Sequence, residues 1–191
     1  MEPVLIKTYD DLPPDRMEIA RYARSGGEEP ALLDACLEEA RGLGPGRVCY
    51  RRFPIYRKAD TLDFGFAAVD AKSLTRHLAG CDAILLFAAT VGLGMDRLIS
   101  RYARLSPARA FLFDAIGTAR VETLCDAFCT DMTAEFGPLR PRFSPGYGDL
   151  PLALQKDILA TLDCQRKIGL TLNQSLLMSP TKSVTAIVGI G

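Results

Sequence analysis

Between Arg140 and Leu152 the chain reads Arg-Pro-Arg-Phe-Ser-Pro-Gly-Tyr-Gly-Asp-Leu-Pro-Leu. Arg142 carries a planar fork of N–H donors that matches a carboxylate. Tyr147 offers a ring face and a hydroxyl. Prolines fix φ and glycines permit tight turns, so this loop is stiff and sharply bent. Such a loop suits a ligand cradle. The same residue types also describe a structured connector whose arginine covers a helix end.

The other chemistry-bearing residues are sparse. Glu122 and Asp126 are four apart, so on a helix they share a face, and their like charges repel by a few tenths of a kcal/mol, about 0.2–0.5, unless a cation lies nearby. Asp131 and Glu135 repeat that spacing, so a solvated helix surface fits it as well. The six cysteines, at 36, 49, 81, 125, 129 and 164, form no Cys-x-x-Cys. Cys125 and Cys129 stand one helical turn apart, but with a single histidine in the chain, His77, a zinc site is not expected, and buried apolar thiols are. His77, beside Leu74 and Leu78, reads as a surface histidine, with a catalytic base as the other reading. There is no Ser-His-Asp set and no Cys-His pair.

The elements that must position these residues follow from periodicity and breakers. Helices are expected over 14–24, with Asp15 near the start and Gly26-Gly27 past the end, and over 30–41, broken by Gly42, Gly44, Pro45 and Gly46. Residues 48–56 read as a strand at a sheet edge, interrupted by Pro54. Ala59-Asp60-Thr61 would turn it into a second strand at 62–69. Ser73 is placed to cap a helix reaching Leu78. The apolar run at 82–89 predicts a strand buried on both faces. Gly92-Leu93-Gly94 leads into a helix to Arg104. Ser106-Pro107 starts another. This one runs to Glu135, about 45 Å at the usual rise, with a bend at Gly117. It gathers Val121, Leu124, Cys125, Phe128 and Met132 on one side. After the loop at 137–150, Asp149 and Pro151 open a helix with Leu154, Ile158 and Leu162 inward. Gly169 ends it, and strands at 170–177 and 183–190 follow. Helices and strands mix without strict alternation. That predicts an α+β fold: a mixed or antiparallel sheet with helices packed against it and one long central helix. The 191 residues are expected to form one domain, with 1–45 as a helical N-terminal appendage.

Hydrophobic residues make up 48% of the chain, enough for a core, and 23 basic residues balance 23 acidic ones. Zero net charge argues against a nucleic-acid partner. The clusters Arg51-Arg52 and Arg57-Lys58 read as solvated strand edges. No apolar run approaches the roughly 20 residues of a membrane span, and the N-terminus lacks a signal-peptide pattern. A cytoplasmic location with reduced cysteines is the expectation.

Arg142-Phe143-Ser144-Pro145-Gly146-Tyr147 resembles the Arg-x-x-Pro-Gly-Tyr loop of the activation domain of cobalamin-dependent methionine synthase. Downstream, Gly169-Leu170-Thr171-Leu172, Ser175, Met178-Ser179-Pro180 and Ser183-Val184-Thr185 fit that domain's pattern in order and spacing. The match covers roughly residues 110–190. Gly148-Asp149-Leu150-Pro151-Leu152 is closer to the free-standing small activation proteins of this family. The resemblance implies binding of S-adenosylmethionine (AdoMet), with Arg142, Ser144 and Tyr147 in its pocket. Arg142 would take the ligand carboxylate. Asp126, with Glu122 as second choice, would match the family's helical acid and take the ammonium. Lys182 and Ser183 would line the cleft or simply open the last strand. The implied role is accessory to methyl transfer: reductive methylation of cob(II)alamin, with the cobalamin carried by a separate corrinoid methyltransferase. Electrons would come from a donor such as a flavodoxin or ferredoxin. Longer family members continue beyond the Ser-Val-Thr strand, where a further residue joins the pocket.

Two other readings compete. Ile84 to Asp96 could open a Rossmann-like nucleotide or methyltransferase unit through Gly92-x-Gly94, although Arg97 stands where the third glycine belongs. Alternatively the chain is a non-catalytic docking subunit of a corrinoid enzyme.

Overall fold

Alternation along the apolar run at 83–90 sets the architecture. All eight residues of this strand are buried, because successive side chains enter two different cores. The computed structural model describes residues 3–10, 13–23, 30–58 and 61–191. Gly26-Gly27 and Ala59-Asp60 lie outside them.

In chain order the elements are β1 (Leu5–Tyr9), α1 (Arg16–Ala23), α2 (Pro30–Ala40), β2 (Gly46–Pro54), β3 (Tyr56–Lys58), β4 (Thr61–Asp63) and β5 (Ala68–Val69). Next come α3 (Lys72–His77), β6 (Ala83–Thr90), α4 (Leu93–Leu105) and α5 (Pro107–Phe136). A 3-10 turn (Leu152–Leu154), α6 (Gln155–Thr161), α7 (Cys164–Ile168), β7 (Thr171–Leu172), β8 (Met178–Ser179) and β9 (Ser183–Ile190) complete the chain. The main sheet has the order β1-β2-β6-β9, antiparallel throughout, and small antiparallel sheets β3-β4-β5 and β7-β8 flank it. The α+β class and the long central helix are as expected.

On one face, Val48, Tyr50, Leu85, Phe87, Ala186 and Val188 meet α5 through Ile116, Leu124, Phe128 and Met132. On the other, Cys49, Ile84, Leu86 and Ile187 meet α3, α6 and α7. The predicted apolar stripe of α5 is buried along its length. Ser106 caps this helix, its side chain accepting from Arg109 N–H, and Pro107 occupies the first turn.

Several expectations change. β2 is interior, not an edge strand: β1 pairs with it from Leu5 opposite Tyr50 to Tyr9 opposite Gly46. Pro54 is tolerated because it is the last paired residue. The strand expected at 62–69 is split into β4 and β5 by a turn in which Asp63 accepts from Gly65 N–H. The strand expected at 170–177 shrinks to β7, because the Asn173 side chain accepts from Ser175 and Leu177 N–H groups and folds a turn. Ser73 does not cap α3, and Asp149 does not open the helix after it. Instead the Asp149 carboxylate caps α3.

Helix α5 runs through Gly117 as one element. Close approach is what the glycine provides there: a Cβ would lie 2.6 Å from Met95 Cγ and 2.9 Å from Lys182 Cγ. Lys182 crosses this point to reach Asp114 at 2.8 Å and Thr118 at 3.0 Å. Gly117→Leu is expected to cost about 1–3 kcal/mol through overpacking, more than its better helix propensity returns. Urea denaturation checks this, and an unchanged midpoint would refute it.

Candidate functional site

Gly137, at φ 81, turns the chain out of α5 and back along the free edge of β9. Arg140 N–H donates to the Gly189 carbonyl at 2.9 Å, and Phe143 and Ile187 exchange two backbone hydrogen bonds of 2.9 Å each. Neighbouring side chains of an extended segment point to opposite sides. Phe143 therefore enters the core shared with α3 and α6, and Arg142 turns toward α5.

The Arg142 guanidinium lies between the two carboxylates of α5. Nη1 donates to Asp126 Oδ1 at 2.6 Å and Nη2 to Glu122 Oε2 at 2.7 Å. The arginine side chain is 24% exposed, against 36% for Glu122 and 73% for Asp126, so the Glu122 contact is the better shielded. Burial works against the charge of Arg142. The Asp126 and Glu122 carboxylates outweigh it and hold the guanidinium more firmly protonated than usual. Cys125 and Cys129 continue the same helical stripe, at i+3 and i+7 from Glu122. Burial pushes the thiol of Cys125 above its ordinary range. Burial also raises that of Cys129, though the neighbouring Arg142 guanidinium pulls the other way. Both thiols are therefore protonated at neutral pH. Arg142, Glu122 and Asp126 together carry a net charge of minus one, since one cation faces two anions. A guanidinium has five N–H donors, so binding both acids leaves it with donors to offer.

The loop beyond is held by its own backbone. Tyr147 N–H donates to Ser144 O at 3.1 Å, and Gly146 N–H to Leu150 O at 2.9 Å, with Gly146 at φ 89. Tyr147 is 71% exposed and stands edge-on to Phe143, with ring centroids 5.7 Å apart. Of the five residues expected at the site, three (Arg142, Glu122 and Asp126) form one charge cluster. Ser144 shapes the following turn, and Tyr147 rests on the Phe143 side of the segment. Lys182 serves α5 instead, and Ser183 bonds Thr90 and the Pro180 carbonyl. His77 is partly exposed at the end of α3, where its Nε2 lies 2.7 Å from the Pro141 carbonyl. Sequence reasoning missed Cys129 as a neighbour of the guanidinium, although its spacing from Glu122 already placed it on that stripe.

A cleft of about 720 Å³ lies apart from this cluster, lined by Leu37, Ala40, Ile116 and Arg120. Arg16 and Arg41 on its rim are paired with Asp34 and Glu38. A second charge cluster, in which Glu39 accepts from Arg101, Arg109 and Tyr102, has cations in excess and only one carboxylate, whereas the Arg142 cluster offers both a guanidinium and two carboxylates. Among the described residues no three His, Cys, Asp or Glu side chains converge as a metal site, and no helix is long and apolar enough to cross a membrane. The strand-glycine-helix at 83–105 does not open a Rossmann unit, because both sheet neighbours of β6 run antiparallel to it.

No family model and no curated protein matches the sequence. In three dimensions the chain is similar to a solved structure, described as the crystal structure of the MetH reactivation domain bound to AdoHcy. The TM-score is 0.75 at 15% identity, over 99% of this chain and 79% of that one. The fold is thus that of a reactivation-domain-like α+β protein.

Proposed function

We propose that this chain binds AdoMet at the Arg142 cluster and the adjoining 144–147 loop, and that it supports reactivation of a separate corrinoid methyltransferase. One observation carries the reading. On a scaffold with the fold of the MetH reactivation domain, a mostly buried guanidinium and two helical carboxylates are assembled with one negative charge in excess.

The donor set fits the ligand. The amino-acid end of AdoMet has a carboxylate for Arg142 and an ammonium for Glu122 and Asp126. Its sulfonium adds a further positive charge, so the ligand is net plus one and the cluster net minus one. When bound, AdoMet supplies an activated methyl group. The chain's own residues need no nucleophile or base; they grip the amino-acid end and orient the rest, which is catalysis by positioning. Ser144 would present its backbone and Tyr147 its exposed ring to the remainder of the ligand.

Calorimetric titration with AdoMet and AdoHcy tests the reading. Saturable binding of both is expected, tighter for AdoMet and weakening with salt, because the sulfonium charge is attracted by the cluster. Flat titrations would overturn it. The accessory role is checked by turnover. A corrinoid methyltransferase without its own reactivation module, once inactivated by oxidation, should recover only when this chain, AdoMet and a reduced flavodoxin or ferredoxin are all supplied.

A further inference from the structure

Helix α3 touches the 140–150 segment at both of its ends. With six residues it is too short to persist alone. Its first N–H groups need acceptors, and Ala71, at the N-cap position, supplies no side-chain bond. Asp149 supplies them from far along the chain. Its Oδ2 accepts from Lys72 N–H at 2.8 Å, and its Oδ1 from Ser73 N–H at 3.1 Å and from the Ser73 hydroxyl. The bonding is mutual, since Asp149 N–H donates to Ser73 Oγ at 3.3 Å. A carboxylate at this end also faces the positive pole of the helix.

The other end of α3 holds the start of the segment. His77 Nε2 lies 2.7 Å from the Pro141 carbonyl, and its ring is 5.1 Å from that of Phe143. Just past the helix, the Ala79 carbonyl accepts from Arg140 at 3.0 Å. Between these anchors the segment lies directly on the helix. At Gly148 (φ 57), a Cβ would come within 2.6 Å of Ser73 Oγ.

We infer that α3 is a splint for the 142–150 loop, with Asp149 and His77 as positioning residues that hold the Ser144–Tyr147 turn in its ligand-ready shape. The inference rests on the proposed function only in taking this turn as the ligand loop. The splint itself is independent of any ligand. Its value is preorganisation: a loop already ordered loses little further entropy when something binds to it. Neither residue touches the ligand in this scheme. Each acts through the backbone it holds.

Hydrogen exchange measured by mass spectrometry on the ligand-free chain tests the splint directly. In Asp149→Ala, peptides covering 72–79 and 143–151 should exchange roughly ten-fold faster, the effect of losing a helix cap. Ser73→Ala removes only the hydroxyl bonds and should show a smaller increase. Peptides of β6 and α5 should remain the most protected of the chain, which shows that the fold survives. Asp149→Asn retains a capping oxygen and should preserve most of the protection. His77→Phe keeps the ring and loses the bond to Pro141, and should loosen residues 140–143 alone. Unchanged loop exchange in Asp149→Ala would overturn the splint, whether or not AdoMet binds. Where the wild type binds AdoMet, a loosened variant of undiminished affinity would overturn the positioning role. A wild type that binds no AdoMet would defeat the proposed function and leave the splint to be judged by exchange.

Discussion

Arg142→Ala is expected to weaken AdoMet binding by roughly thirty-fold to several thousand-fold, the range set by about 2–5 kcal/mol for truncating one partner of a hydrogen-bonded charge pair. Two effects add. The ligand carboxylate loses its fork of donors. Glu122 and Asp126 also lose the cation between them, and they repel each other at their helical spacing. Arg142→Lys should fall between, because an ammonium keeps the charge without the planar fork. The fold should lose far less, about 1 kcal/mol or under. The Asp126 contact is largely solvated, and exposed ion pairs contribute little. Calorimetry beside urea denaturation separates the two quantities. Retained affinity in a folded Arg142→Ala protein would remove the cluster from the binding site.

Phe128→Ala should be the most damaging single truncation in the core that joins α5 to the sheet. Phe128 is fully buried, with its ring 5.1 Å from that of Tyr50 and 4.9 Å from that of Phe87. It links the long helix to two adjacent strands at one point. The expected cost is about 3–5 kcal/mol, from lost burial and from the cavity left behind. That is a large share of the roughly 5–15 kcal/mol that a domain commonly has. For a chain of this size it corresponds to a melting temperature lower by about 6–20 °C. The urea midpoint should drop while the slope stays constant, since the surface exposed on unfolding hardly changes. Phe111, on the same helix but 47% exposed, is the control: Phe111→Ala should stay within about 0.5 kcal/mol. A Phe128→Ala protein as stable as that control would show that the helix is held to the sheet elsewhere.

Both predictions concern residues whose roles the sequence announces unequally. The stripe of Val121, Leu124, Cys125, Phe128 and Met132 is visible from helical spacing, and so is the shared face of Glu122 and Asp126. The double burial of β6 is visible as an unbroken apolar run. Arg142 stands out through the loop that carries it. The place of β2 inside the sheet is not visible, because it depends on pairing with β1. Strand pairing is a choice among distant segments that local pattern does not make.

By itself, then, the sequence determined the α+β class, the long helix with its cap at Ser106, and which residues are proposed to grip an amino-acid ligand. These are local properties, written in spacing, propensity and side-chain chemistry. Tertiary structure alone decided that Arg142 faces Glu122 and Asp126. That follows from the path of residues 139–143 along β9, which sends alternate side chains to opposite layers. It alone decided that Asp149 caps a helix 77 residues earlier. A hydrogen bond needs only proximity, and proximity between distant residues exists only once the chain has folded.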